Sequence, residues 1–383
     1  MGTAHDYRTA FVAACLSEAS TDAVGWLEEL DRVVEETVAP HAAAVDREGR
    51  HPAEAVEGLR GVGAFGVQVA RSRGGLGFGN GVAALVVERV ARACASTAAI
   101  LMFHYQVVHR TAAHGHPARR DDDLAGMADG SVIAASAWTE PSRTADKADV
   151  RTSLTRRGAD LRVDGTKTYC TGLRSAAVVD VLVAAAEGPT FVRVDAKSAG
   201  VEVAELYSML GLRGTGTGTL RLDDVHVNPV DVVGAAGGAR DLMRANHETP
   251  LNPGLIALGV AGAAFEAAVG VRHDRPLGEV ARIAIAESQL ALEATYAYAA
   301  HLTADTVGSP VPGYTSASKL KAQATSAADA ITRRLVAATG SRAFLSDAAH
   351  PLERHLRDAQ ATSLMGPANG VCLARVATAV LDS

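Results

Sequence analysis

The sequence predicts an α+β protein built in three consecutive parts: an N-terminal helical domain at 1–130, a middle β-domain at 131–235 and a C-terminal helical bundle at 236–383. Two observations predict it. Apolar residues recur at helical spacing in the first part, give way to short β-branched runs between turn signals in the second, and return to helical spacing in the third. With 383 residues, 48% of them hydrophobic and 21% charged, the chain is long and apolar enough to bury a core in each part.

In the first part Trp26, Leu27, Leu30, Val33 and Val34 recur at helical spacing, as do Leu85, Val86, Val90 and Cys94. His51-Pro52 and the Arg-Gly-Gly-Leu-Gly string at 73–77 mark loops, and 96–104 reads as a buried helix segment with a polar residue at each end. From Ser131 to about Val233 the strand-like runs are 132–134, 161–163, 178–183, 191–194 and 220–222, with turns at Asp164-Gly165 and 211–214. About a hundred residues of short strands with no intervening helix predict a small β-barrel or sandwich. After Ala235 the residues Leu255, Leu258, Gly259, Gly262 and Phe265 line one face, the glycines admitting a neighbouring helix closely. Further helices follow at about 281–303 and 316–338, and long helices joined by short loops predict a four-helix bundle.

Composition removes several function classes. With 37 basic against 43 acidic residues the net charge is -6, and no basic block follows a phosphate backbone, so no nucleic-acid partner is expected. Cys15, Cys94, Cys170 and Cys372 lie far apart without CxxC spacing, which predicts free thiols in a cytoplasmic protein and no zinc knuckle. No stretch approaches the ~20 uninterrupted apolar residues of a membrane span. His104 and His109 are offset by about 140° on a helix and cannot clamp one metal, so no metal site is expected. The Gly-x-Gly-x-x-Gly string at 61–66 follows a helical segment rather than a strand and is rejected as a dinucleotide fingerprint. The Gly-Thr repeat at 214–219 has no P-loop lysine and reads as a turn feeding a strand. Arg354 with Asp358 reads as a solvated helix face.

Two strings resist so plain a reading: Ala137-Trp138-Thr139-Glu140-Pro141 and, about thirty residues on, Gly165-Thr166-Lys167-Thr168-Tyr169-Cys170-Thr171-Gly172. Both fall at predicted strand ends. Aromatics make up only 4% of the chain, so a Trp and a Tyr each beside a hydroxyl suit a flat aromatic ligand, the rings as walls and Thr139 and Thr171 as donors to its edge.

With these strings the sequence resembles the acyl-CoA dehydrogenase family of flavoproteins over nearly its whole length. The matching pieces, in order, are APHAAAVDREG, RGGLG, AWTEP, DGTKTYCTG, GLRGTGTGTLRLDDVHVNP, LIALGVAGAAFEAAV, ATGSRAF and RHLRDAQ. The resemblance implies the family's fold, helical domain, β-barrel domain and four-helix bundle, and FAD as cofactor. It implies that Trp138, Thr139, Tyr169 and Thr171 contact the isoalloxazine. Arg272 or Arg275, with Thr339-Gly340 from a neighbouring subunit, would contact the adenosine diphosphate part, which implies a homodimer or homotetramer.

The chain also departs from the family. Gly-Ser-Asp usually follows Thr-Glu-Pro, and here Ser142-Arg143-Thr144-Ala145-Asp146 leaves Thr144 to supply the hydroxyl. The family's glutamate base usually stands in Glu-Gly-Thr after an Arg-Asp pair, where this chain has Leu364-Met365-Gly366-Pro367. Glu248, near the position some members use instead, is the surrogate carboxylate; otherwise it acidifies the first turn of a helix opening at Pro250. The resemblance thus implies oxidation of an acyl thioester, carried by coenzyme A or a carrier protein, by α-proton abstraction and hydride transfer to flavin, with an electron-transfer partner. The alternatives are a reduced-flavin monooxygenase of the same fold, served by a flavin reductase and using His104 in the active site, or a non-catalytic flavin-binding homologue.

Overall fold

The structure is a computed structural model that describes residues 7–17, 19, 21–141, 148–158, 160–271, 276–304, 314–347 and 350–382. Among them seven helices precede the sheet: α1 Thr9–Leu16, α2 Asp22–Val33, α3 Ala39–Glu48, α4 Ala53–Gly61, α5 Gly79–Ala93, α6 Ala95–His114 and α7 Arg120–Ala128. The predicted segment at 96–104 is the buried first half of α6, with only Phe103 partly exposed. Gly63, between α4 and a short turn, adopts a left-handed φ of 70° after a helix, which is the wrong setting for a dinucleotide loop.

Eight strands follow: β1 Ala134–Ala137, β2 Ser153–Arg157, β3 Asp160–Cys170, β4 Val178–Ala185, β5 Gly188–Asp195, β6 Val201–Leu206, β7 Gly218–Val227 and β8 Val232–Val233. They form one mixed sheet in the order β6-β7-β3-β2-β4-β5-β8, with β1 parallel to β4. The sheet curls so that Val163, Leu220 and Val225 on β3 and β7 share a core with Val181, Val183 and Val192 on β4 and β5. Its outer strands, β6 and β8, stay unpaired to each other, so the hydrogen-bonded path is open. The strand-like runs seed β1, β3, β4, β5 and β7. Strands β2 and β6 carry Ser-Leu-Thr-Arg-Arg and Val-Glu-Val-Ala-Glu-Leu, too exposed to show a buried face. Their ladders with β3 and β7 hold them, a tertiary effect.

Six helices complete the chain: α8 Ala239–His247, α9 Pro253–Gly270, α10 Glu279–Ala304, α11 Tyr314–Thr339, α12 Leu352–Leu364 and α13 Asn369–Leu381. Helix α9 opens at Pro253, three residues later than expected, because the Asn252 side chain accepts the Gly254 N–H at 2.9 Å and the proline removes a donor that would have been unpaired. Its 18 residues, with mean hydropathy 1.5, are long and apolar enough to cross a membrane, yet 67% of them are buried among other helices. That is the pattern of a core helix. A Cβ on Gly259 would collide with the Glu88 carbonyl of α5, so α9 and α5 pack at backbone distance.

The helices before and after the sheet share one core: Val86 and Val90 of α5 pack with Leu255 and Ile256 of α9 and Tyr296 of α10. Inside it, fully buried Glu88 accepts hydrogen bonds from Arg8 Nη2 and Tyr296 Oη, each at 2.6 Å. All four cysteines are free and buried.

Candidate functional site

The two singled-out strings meet at one end of the sheet. The Thr168 N–H donates to the Thr139 carbonyl at 2.8 Å, joining the end of β3 to the segment after β1. Beneath that bond, fully buried Lys167 donates from Nζ to Glu140 Oε1 at 2.7 Å. Glu140 also accepts from Thr152 Oγ1 at 2.6 Å and from the backbone N–H groups of Arg151 and Thr152. Burial alone would raise this carboxyl, but the Lys167 and Thr152 bonds outweigh it and hold it at about 2.

The sign of the resulting pH dependence follows. Glu140 is depressed from 4.5 in the unfolded chain to about 2 in the fold, so its contribution is complete above about 4.5 and lost as pH falls through 2. Unfolding free energy measured between pH 5 and 2 should therefore fall less steeply in Glu140→Gln than in the parent; parallel curves would refute the assignment.

Above this staple Tyr169 stands 68% exposed at a φ of 54°, an unfavourable backbone for an aromatic residue, with its ring 5.1 Å from that of Tyr207. Thr171 Oγ1 lies 3.2 Å from Thr217 Oγ1, which lies 2.8 Å from Thr215 Oγ1. The Gly-Thr repeat thus does more than feed β7: it lays the Thr217 hydroxyl against Thr171, with that of Thr215 behind it. The loop is in turn tied to α12, because the Leu212 N–H donates to Asp358 Oδ1 at 2.7 Å. This corrects the solvated reading of Asp358, which is 5% exposed and pushed up to about 6 by burial. Arg357 beside it grips Asp46 through both terminal nitrogens and donates to the Leu210 carbonyl. Helix α12 is therefore tied to the loop that sets Thr217 beside Thr171.

Trp138 is placed differently from the expected wall. Its ring turns to the helix side of the sheet, 5.4 Å from Phe191 and 5.8 Å from His247, with the Arg110 guanidinium carbon 6.0 Å away. Its buried indole nitrogen has no hydrogen-bond partner among the described residues. The alternation of a strand end explains the direction: Ala137 enters the sheet core, so its neighbour faces away. His247 is pushed down to about 4 by burial and is neutral.

Glu248 caps the C-terminal end of α8, next to His247, and its Oε1 accepts from Arg244 Nε at 3.0 Å. It acidifies no first turn. His104 lies on α6 against the start of β1. It is fully buried, its Nδ1 accepts the Ala134 N–H at 3.2 Å, and its Nε2 therefore donates to the Phe65 carbonyl at 3.3 Å. Burial pushes it down to about 4, and it links α6 to β1 as a neutral strut. Gly366 is exposed, and a Cβ built on it meets nothing within 4 Å. Thr339 ends α11, and Gly340 follows at a φ of 84°. Thr144, Arg272 and Arg275 lie outside the described residues. No group of three or more His, Cys, Asp or Glu side chains among the described residues could hold a metal ion.

Sequence reading named the strings but missed the residues set against them, Arg110, Tyr207, Thr217 and His247. One signal was available: Asp180 is a lone charge inside the apolar run at 178–183, and such a residue needs a buried partner.

Helices before and after the sheet share one core, and an exposed tyrosine and a chain of threonine hydroxyls lie at the sheet's end. The chain belongs to the acyl-CoA dehydrogenase family: the models of that family's N-terminal, middle and C-terminal domains match residues 21–131, 135–225 and 236–381. It is 27% identical to the human mitochondrial short-chain specific acyl-CoA dehydrogenase over 346 residues, 86% of this chain and 83% of the relative. The butyryl-CoA dehydrogenase of Megasphaera elsdenii superimposes with a TM-score of 0.88 at 21% identity, over 94% of this chain and 98% of the other. The nitrososynthase of Micromonospora carbonacea var. africana shares the fold with a TM-score of 0.82 at 23% identity, over 94% and 97%.

Proposed function

We propose that the protein binds FAD at the end of the sheet and oxidises an acyl thioester there, the acyl group being carried by coenzyme A or by a carrier protein. The observation that carries this reading is the Thr168–Thr139 backbone bond above the Lys167–Glu140 staple, which sets two hydroxyl-bearing loops side by side. The donor set fits an isoalloxazine. Tyr169 holds an exposed ring out on a strained backbone, with Thr171 two residues on and Thr139 on the loop bonded to Thr168. Bound FAD would supply the two-electron acceptor for the substrate's α,β-bond. The chain's own task is to orient the thioester and remove its α-proton, for which Glu248 is the carboxylate and Gly366 leaves open space. Turnover further needs an electron-transfer partner.

The second reading is a reduced-flavin monooxygenase, favoured by the absence of a side chain at Gly366. Anaerobic mixing of the FAD-loaded protein with acyl thioesters decides between them. Bleaching of the flavin absorbance by a coenzyme A or carrier thioester is expected. Flavin that stays oxidised with every thioester, yet reacts with oxygen once chemically reduced, would transfer the assignment to the oxygenase. Failure of FAD to raise the melting temperature would remove both.

A homo-oligomer belongs to the same proposal. Phe344 and Leu345, 70% and 52% exposed, stand just beyond Gly340, where a neighbouring subunit would cover them. Light scattering at micromolar concentration should give at least a dimer.

A further inference from the structure

We propose that Lys321 is the positioning residue of the site, holding the turn between α12 and α13 so that residue 366 is presented to the substrate at a fixed place. This rests on the reading of that turn as one wall of a thioester site. The geometry is specific. Lys321 on α11 is 1% exposed and reaches both ends of the turn at once, donating from Nζ to the Ser363 carbonyl at 2.9 Å and to Asn369 Oδ1 at 2.6 Å. Ser363 lies in the last turn of α12, where carbonyls lack helical partners and a cation meets the negative end of the helix dipole. Asn369 is the first residue of α13, and Thr325 Oγ1 lies 2.9 Å from the same Asn369 oxygen. One side chain therefore spans the turn from its entry to its exit, while Gly366 between them is exposed and a Cβ built on it meets nothing within 4 Å.

The lysine is an expensive way to achieve this. Its acceptors are a carbonyl and an amide rather than a carboxylate, so its charge is buried without a counter-ion among the described residues, and burial pushes the ammonium down to about 8. A group kept for stability alone would do better as a hydrophobic side chain of the same length. That contrast separates positioning from bulk stability in an experiment. Lys321→Met should leave the melting temperature unchanged or raised, while amide hydrogen exchange at 364–370 accelerates by about tenfold or more and exchange elsewhere stays constant. Asn369→Ala, which removes one acceptor but leaves the lysine, should accelerate the same amides, and Lys321→Arg should restore part of their protection.

The functional arm uses Gly366→Glu, whose carboxylate projects from the turn. In that background Lys321→Met should slow flavin reduction by thioester by about 100-fold at unchanged FAD retention, since small misplacements of a reacting group have effects of that size. Parent-like exchange at 364–370 in Lys321→Met would overturn the proposal, as would a lowered melting temperature with faster exchange throughout the chain. If exchange accelerates in the turn alone but Gly366→Glu shows no flavin reduction with any thioester, the positioning role stands and the thioester reading fails.

Discussion

Asp180→Ala should destabilise the protein by about 3–5 kcal/mol in urea unfolding, the loss typical of removing one partner from a buried ion cluster. Asp180 is fully buried in β4 and accepts from Arg110 Nε at 3.0 Å and Nη2 at 2.9 Å, and from Arg193 Nε at 2.9 Å. Burial would raise its carboxyl, but the two guanidinium groups outweigh that and hold it below the usual carboxylate range. Arg193 has a second carboxylate, Asp123, at 2.8 Å, whereas among the described residues Arg110 has no other carboxylate and already carries one buried nitrogen without a partner. The uncompensated charge left by the substitution is therefore that of Arg110. Removing it too, as Asp180→Leu with Arg110→Met, should recover most of the loss, because a well-packed apolar pair of similar volume replaces buried ions at little cost. The site feels the change, since Arg110 stacks 4.8 Å from the Phe191 ring and 6.0 Å from that of Trp138. FAD retention should fall in the single variant and return in the double. A loss under about 1 kcal/mol would show that water or repacking replaces the carboxylate.

Glu248→Gln is expected to slow flavin reduction by thioester by about 10²–10⁴-fold while FAD stays bound, the usual effect of removing a general base. His247, next to Glu248, packs on Trp138, and Thr168 ties the loop that follows Trp138 to the end of β3. The Arg244 partner on the preceding turn fixes the carboxylate's place and would have to yield for it to take a proton, so Arg244→Met should alter the rate at unchanged flavin content. Gly366→Glu in the Glu248→Gln background should recover part of the rate, because a Cβ at Gly366 meets no neighbour. A full-rate Glu248→Gln variant would leave the chain without its proposed base and shift the assignment to the oxygenase.

How much of this was legible in the sequence varies with the range of the interaction. Helices α10 and α11 lie within two residues of their expected bounds, since long apolar periodicity is a local property. Strands β2 and β6 were invisible because their residues gain order from neighbours in the sheet rather than from a buried face of their own. Both strings lie at strand ends as read, and a Thr168–Thr139 backbone bond that the sequence did not show joins them. Trp138 and His104 were read by residue type and strand or helix position. The direction of each ring depends on what lies across from it, Phe191 and His247 for the one, Phe65 and Ala134 for the other.

By itself the sequence determined the three-part order, the absence of a CxxC framework, the two loop strings and the side-chain-free residue at 366, because each is a matter of composition, period or spacing along the chain. Only the tertiary structure decided that the helices at both ends of the chain share one core, that Asp358 and Lys321 hold α12 and its following turn, and that Lys167 and Glu140 staple the two loops. Those pairings join residues far apart in the sequence. What selects them is the cost of leaving a buried charge or N–H unpaired, a cost that arises only once the chain has excluded water around it.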